Sequence, residues 1–227
     1  MLKLWRVIMT LEGLRLKLRK QYIRMTANIR CNSINKDKFT IISNNCWGGM
    51  IYESYGLQKQ SPTVGMYFSP EDYLKLVSDL KHYLLDSTLS FIDPNNAKHK
   101  VLFKQDNTFG KYPIAVLDDI EIAMLHYHSQ EEALEKWNRR IERICWDRLI
   151  VKFNDQNGCT IDQMNHFLQL PLSCNTKLFF TAKKAWANKT EGAIYIPQIN
   201  TNQVFASLEP FGKSIVCDVN KIINEIR

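Results

Sequence analysis

The chain has 227 residues, 45% of them apolar and 23% charged, and a formal net charge of +7. That length suits one domain with a full core. No run of about 18 uncharged apolar residues occurs, so no transmembrane helix is expected. Charges interrupt residues 1–18 throughout, so this segment does not read as a signal peptide, and the expected location is the cytoplasm.

The positive charge is local. Residues 1–38 hold ten Lys/Arg and two acids, whereas the remainder holds 20 basic and 21 acidic residues. A near-neutral body argues against a broad nucleic-acid-binding face, so no nucleic-acid partner is expected. The six cysteines lie at least 14 positions apart, which leaves no CxxC-type metal pair and predicts reduced thiols in an intracellular chain. No metal site is expected. The organisation reads as a basic arm, 1–37, followed by a single α/β domain, 38–227.

In the arm, Leu4, Val7, Leu11, Leu14, Leu18, Tyr22, Met25 and Ile29 recur at spacings of three and four, which predicts an N-terminal amphipathic helix. Arg6, Lys17, Arg19, Lys20 and Arg24 fall largely off that stripe, and Trp5 lies near its start. Two readings fit. The stripe makes peripheral membrane contact through residues 1–30 at an anionic inner surface, or it packs on the body or on a second copy while the charges are solvated.

Phe39–Ile42 predicts a short strand, and Ser43-Asn44-Asn45 a turn that tolerates left-handed backbone. Cys46 and Trp47-Gly48-Gly49 follow, then a helix through Gly56. Val64–Phe68 predicts an extended segment. Ser69-Pro70-Glu71-Asp72 is a helix start with a capping serine, a first-turn proline and acids at the positive end of the dipole. Residues 93–100 read as a surface loop and Val101–Phe103 as a short strand. Tyr112–Leu117 predicts a core strand that runs into Asp118-Asp119-Ile120-Glu121 and a further strand. Ser129 with Glu132 predicts a capped helix to about Ile144, with Ala133, Leu134, Trp137, Ile141 and Ile144 inward and Glu135, Lys136, Arg139, Arg140 and Glu142 mostly solvated. Leu149–Phe153 and Lys177–Thr181 predict buried strands, Thr160 with Gln163 caps a helix between them, Ala193–Ile196 is a shorter strand, and Asp218 caps a terminal helix. Strands alternating with capped helices predict an α/β layered fold with a largely parallel central sheet flanked by helices.

The segments SNNCWGG (Ser43–Gly49), SPTVGMYFSPEDY (Ser61–Tyr73), YPIAVLDDIEIAMLHYHS (Tyr112–Ser129), EKWNRR (Glu135–Arg140), VKFNDQNG (Val151–Gly158) and FTAK (Phe180–Lys183) come in this order. Over about residues 38–200 the chain resembles a bacterial family of unknown function labelled exopolysaccharide or capsule biosynthesis protein. The arm lies outside that span and reads as a local addition. The resemblance implies an α/β fold and a surface-glycan context, and it carries over no residue role.

In a parallel sheet the carboxyl ends of the strands share one edge, where ligands bind. That edge would gather Cys46, Asp118, Asp119, Asp155 and Lys183. The leading expectation is a cysteine nucleophile. Cys46 attacks, His126 or His128 takes its proton, and Asp118, Asp119 or Asp155 orients the imidazole. Amides of Asn44 or Asn45 and backbone N–H groups near Trp47, Gly48 and Gly49 would hold an oxyanion. This set suits acyl transfer or ester/thioester hydrolysis on a saccharide or other glycan-pathway substrate. The SNNC turn is similar to the GNCQ-like cysteine turn of a coenzyme A-linked polysaccharide-biosynthesis family, which implies a coenzyme A thioester. Two alternatives stand beside it. DDIE (Asp118–Glu121) suggests a metal- or nucleotide-sugar-dependent glycosyltransferase-like protein, although the two aspartates are adjacent rather than spaced as DxD. A non-catalytic glycan-assembly accessory protein would instead bind sugar on its aromatic residues.

Overall fold

The computed structural model describes residues 18–35, 37–172, 174, 176–198 and 202–226. The predicted stripe residues Leu4, Val7, Leu11 and Leu14, with Trp5, lie outside them. The first elements are α1 (18–25) and α2 (Ala27–Cys31), separated by a turn at Thr26.

The centre is a four-stranded parallel sheet in the order β1-β6-β7-β8: β1 Thr40–Ser43, β6 Leu149–Asn154, β7 Thr176–Thr181 and β8 Ala193–Tyr195. Its register pairs Ser43 with Lys152 and Phe153 with Phe179. Helices α7 (Ile161–Gln169) and α8 (Lys184–Lys189) are the crossovers between β6, β7 and β8. Thr160 and Gln163 form the expected reciprocal capping box of α7. The sheet is covered on both sides, so its strands read as continuous apolar runs rather than alternating ones. Ile42, Val151, Phe153 and Phe179 enter one core, and Ile41, Ile150, Leu178 and Phe180 enter another with Trp47, Tyr52 and Ile223. The terminal helix α9 (Val219–Glu225) supplies Ile223 and is capped by Asp218, as its sequence predicts.

The chain between β1 and β6 is a long excursion. It begins with α3 (Trp47–Ser54) and builds a second, antiparallel sheet in the order β2-β5-β4-β3: β2 Tyr67–Phe68, β3 Leu89–Ile92, β4 Ile114–Leu117 and β5 Ile120–Ala123. Helix α4 (Pro70–Ser78) starts at Ser69, whose hydroxyl accepts the Asp72 N–H, and α6 (Gln130–Ile141) starts at Ser129, which accepts from Glu132. The predicted strand Val101–Phe103 is instead part of a short helix, α5 (Lys100–Phe103). The edge strand beside β4 is β3, Leu89–Ile92, paired antiparallel.

Two predicted faces are corrected. On α6, Arg140 is buried and Leu134 is exposed, because Arg140 lies three residues after buried Trp137 and seven after buried Ala133. On α1 and α2, the residues that pack on the body are Ile23, Ala27 and Arg30. Leu18, Tyr22, Met25 and Ile29 point outward, so the described part of the stripe does not pack on the body. Arg30 fastens this helical segment. Its Nε donates to the Ser54 carbonyl at 2.6 Å, its Nη2 to the Ile23 carbonyl, and the guanidinium lies 5.1 Å from the centre of the Phe211 ring.

Asp155, just beyond β6, ties three segments together. One carboxylate oxygen accepts from Thr181 Oγ1 and Ala182 N, both at 2.8 Å, and the other from Val204 N at 2.7 Å. Removing it leaves buried donors without partners. Asp155→Ala is therefore expected to lower the unfolding free energy by about 3 kcal/mol, measured by urea denaturation.

Candidate functional site

The carboxyl edge of the parallel sheet is occupied by a buried polar cluster. Lys152 lies in the middle of an apolar strand and is fully buried. Its ammonium donates to Glu209 Oε1, to Asn45 Oδ1 at 3.1 Å and to Asn44 Oδ1 at 3.3 Å, and it sits 5.9 Å from the Trp47 ring and 5.6 Å from the Phe180 ring. Glu209 is equally buried and also accepts from Asn154 Nδ2 at 2.9 Å. Burial pushes the Lys152 pKa down and the Glu209 pKa up, and each opposes the shift of the other through its charge.

This cluster decides what the Asn44-Asn45 turn does. Asn44 donates to Asn154 Oδ1 at 2.8 Å, and Asn45 donates to Gln156 and accepts the Trp47 N–H at 3.1 Å. The Gly48 N–H donates to Ser43 Oγ at 3.2 Å. The Asn44 and Asn45 amides and the Trp47 and Gly48 N–H groups are thus engaged in structural bonds, and Trp47 is buried with its Nε1 donating to the Pro210 carbonyl. The two glycines serve packing. A Cβ on Gly48 would lie 3.1 Å from Ser43 Oγ, and one on Gly49 would lie 2.9 Å from Val64 Cγ1.

Cys46 occupies the cap position of α3 and is half-buried. Its thiol pKa is pushed up to about 12, by burial first and then by the Glu209 carboxylate, with Lys152 opposing. Among the described residues its one hydrogen-bond contact is the Met66 carbonyl, at 4.0 Å.

Cys46 also lines a cavity of about 550 Å³ enclosed by α1, α3, α6 and the segments around residues 64, 126 and 206. Six cationic side chains reach it, Arg19, Lys20, Arg24, Lys59, Lys136 and Arg140, against one carboxylate, Glu53. Two of the six are partly balanced: Lys59 bonds Glu53 at 2.8 Å, and Lys136 bonds Glu132. Arg140 is fixed deep in the wall, with Nη1 donating to Tyr127 Oη at 2.5 Å and to the Val64 carbonyl at 3.2 Å. Arg19 donates to the Glu209 carbonyl at 3.2 Å, which links the cavity wall to the buried pair. His126 lines the cavity with an open face to solvent. The buried part of its ring, and next the Lys20 charge, hold its pKa below the usual imidazole value.

The other expected site residues are dispersed. Asp118 and Asp119 form the tight turn between antiparallel β4 and β5, with Asp118 at φ 52°, so they are not at a parallel strand end. Asp119 accepts from Lys75 Nζ at 2.7 Å and Tyr83 Oη at 2.6 Å, and Asp118 from Ser87, with His82 Nε2 at 2.9 Å. His128 is exposed, does not line the cavity, and donates its backbone N–H to Glu132. Asp155 is the structural tie described above and contacts no imidazole. Glu121 is buried and caps the Lys98 and His99 backbone N–H groups at 2.8 and 3.0 Å. Lys183 stands at the N-cap position of α8 without a side-chain capping bond, and its ammonium lies 3.6 Å from the Trp186 ring centre. Of the proposed catalytic set, only Cys46 and His126 share the cavity.

A separate cluster surrounds fully buried Asp72, which accepts from Lys98 Nζ at 2.7 Å and from the Glu121 backbone at 2.8 Å. One His99 nitrogen, Nε2, lies 2.9 Å from Asp72 and 3.1 Å from Ser69 Oγ. A Ser-His-Asp relay needs both ring nitrogens, so this trio fastens α4 to the loop before α5 and is not catalytic.

Breaking a buried ion pair leaves an uncompensated charge, whereas replacing both partners with apolar groups does not. Lys152→Met alone is therefore expected to destabilise by about 3–5 kcal/mol, and the Lys152→Met/Glu209→Leu double variant by markedly less. Equilibrium denaturation of the two single variants and the double variant checks this. The Cys46 thiol, held near pKa 12, is expected to alkylate with iodoacetamide at pH 8 more slowly than Cys31 or Cys145, and faster as pH rises, read by peptide mass spectrometry.

A family model described as "Domain of unknown function (DUF1919)" matches residues 17–223. A Haemophilus influenzae protein named "Uncharacterized protein" is 35% identical over 157 residues, covering 69% of this chain and 67% of the relative. The match starts at residue 17, so α1 and its cavity-lining cations fall within the family's span and are not a local addition. The chain belongs to the DUF1919 family, a domain whose function is unknown.

Proposed function

We propose that this protein binds an anionic ligand, bearing phosphoryl or carboxylate groups, in the cavity beside Cys46, and that it acts in surface-polysaccharide assembly. The cavity's charge carries the reading: six cations and one carboxylate around about 550 Å³. Like charges held around one cleft repel one another, and an anion of matching size relieves that repulsion. Arg140 and Arg19 are held by hydrogen bonds, so their guanidiniums are pre-oriented, which lowers the ordering cost of binding. The glycan context comes from the motif resemblance over residues 43–183. In that context the anion is a sugar phosphate, a nucleotide sugar, an acidic saccharide or the diphosphate of a coenzyme A thioester.

The acyl-transfer reading rests on one observation, that Cys46 and His126 border the same cavity. A thiol pushed up to about 12 attacks only if a base removes its proton as it attacks or a bound ligand alters its surroundings. The glycosyl-transfer reading keeps the anionic donor but loses its metal-binding acids, because Asp118 and Asp119 lie on the β4–β5 turn and are engaged by Lys75, Tyr83, His82 and Ser87.

Pyrophosphate, coenzyme A, acetyl-coenzyme A and a nucleotide sugar are expected to raise the thermal midpoint, and a neutral oligosaccharide is not. Lys20→Glu/Arg24→Glu, a reversal of two cavity cations, is expected to weaken that binding at least about tenfold by isothermal titration. Equal stabilisation by the neutral sugar, or unchanged anion affinity in the variant, would sink the reading. Loss of an acyl group from acetyl-coenzyme A, with mass gain on the Cys46 peptide, would select acyl transfer.

A further inference from the structure

We infer that the outer face of α1 and α2 docks on an anionic lipid surface. Four large apolar side chains stand there in one line, Leu18, Tyr22, Met25 and Ile29, at 57, 59, 79 and 68% exposure. The opposite face of the same segment already packs on the body through Ile23, Ala27 and Arg30. A surface helix needs one apolar stripe to pack, and this one carries two. The outer stripe continues the three-and-four spacing of the sequence before it and is a contiguous apolar strip rather than scattered exposure.

Charge selects the occupant. Residues 1–38 hold ten cations and two acids, a local excess of positive charge that an anionic surface attracts. Pairing this face with a second copy would bring two such segments together against their repulsion. A bilayer containing anionic lipid supplies apolar chains for the strip and headgroup charge for the cations. No helix among the described residues is long and apolar enough to cross a membrane, so the contact lies in the interface plane.

The test is vesicle flotation of the full chain, with phosphatidylcholine alone and with about one-third phosphatidylglycerol. The native protein is expected to float with the anionic vesicles, less so at high salt, and to stay with the aqueous phase on the neutral ones. Leu18→Ser/Tyr22→Ser/Met25→Ser/Ile29→Ser, whose four sites are exposed, is expected to cut the partition roughly tenfold or more, with its thermal midpoint and pyrophosphate binding retained. Flotation unchanged in the variant, or no flotation of the native chain, overturns the inference. So does a dimer, seen by light scattering, that the variant dissolves, since the strip would then be a self-association face. Pyrophosphate titration of the same variant reads the cavity separately, so the two proposals fail independently.

Discussion

The structure depends on a lysine held inside a sheet. Lys152 points from the central strand β6 into the face occupied by Trp47 and Phe180, out of reach of bulk solvent, and its charge must be met by protein. Glu209 meets it from 57 residues further along the chain. That one requirement brings the 203–209 segment over the carboxyl edge of the sheet, where Val204 bonds Asp155 and Pro210 receives the Trp47 indole. It also fixes the Asn44-Asn45 turn, because both asparagine carbonyls complete the ammonium's coordination. A buried pair of this kind contributes little net stability compared with an apolar substitute, and what it does specify is which segment closes the edge.

The same cluster sets the chemistry open to Cys46. In many α/β proteins the strand-turn-helix junction presents backbone N–H groups to a ligand. Here Ser43, Asn45 and Asn154 turn those donors and amides toward one another, and the Glu209 carboxylate and the Lys152 ammonium act on the thiol in opposite directions. Desolvation then dominates and holds the proton on sulfur. Positive potential is concentrated one layer away, in the cavity wall formed by α1, α3 and α6.

The regular elements were legible where local chemistry agreed with tertiary demand. Ser69, Ser129, Thr160 and Asp218 each cap the helix their sequence predicts, and the apolar runs at residues 40–43, 149–154 and 176–181 form the parallel strands. The candidate site was legible only in part, because assembling it needs topology. Asp118 and Asp119 follow a strong strand, and nothing local distinguishes a parallel strand end from a tight hairpin turn, so two acids were assigned to an edge they do not reach. Leu89–Ile92 is too short for its period to stand out, and its pairing with β4 is a tertiary fact. Two signals stand in the sequence itself. Lys152 interrupts LIVKFN, an apolar run with no room for a solvated charge, and Arg140 falls on the helical face of Ala133 and Trp137. Glu209, in an irregular segment, carried no local mark.

Helix α1 joins the two proposed surfaces. Its body-facing side contributes Arg19, Lys20, Ile23 and Arg24 to the cavity, and its outer side carries the exposed strip. An element used on both sides cannot shift toward one partner without altering the other, because Arg19 is bonded to Glu209 and Arg30 to Ser54. Cavity and strip thus sit within about one helix diameter, ~10 Å, of each other. The α1–α2 segment is held by the bonds at Arg19 and Arg30, so its cavity face and its outer strip keep a fixed relation to each other.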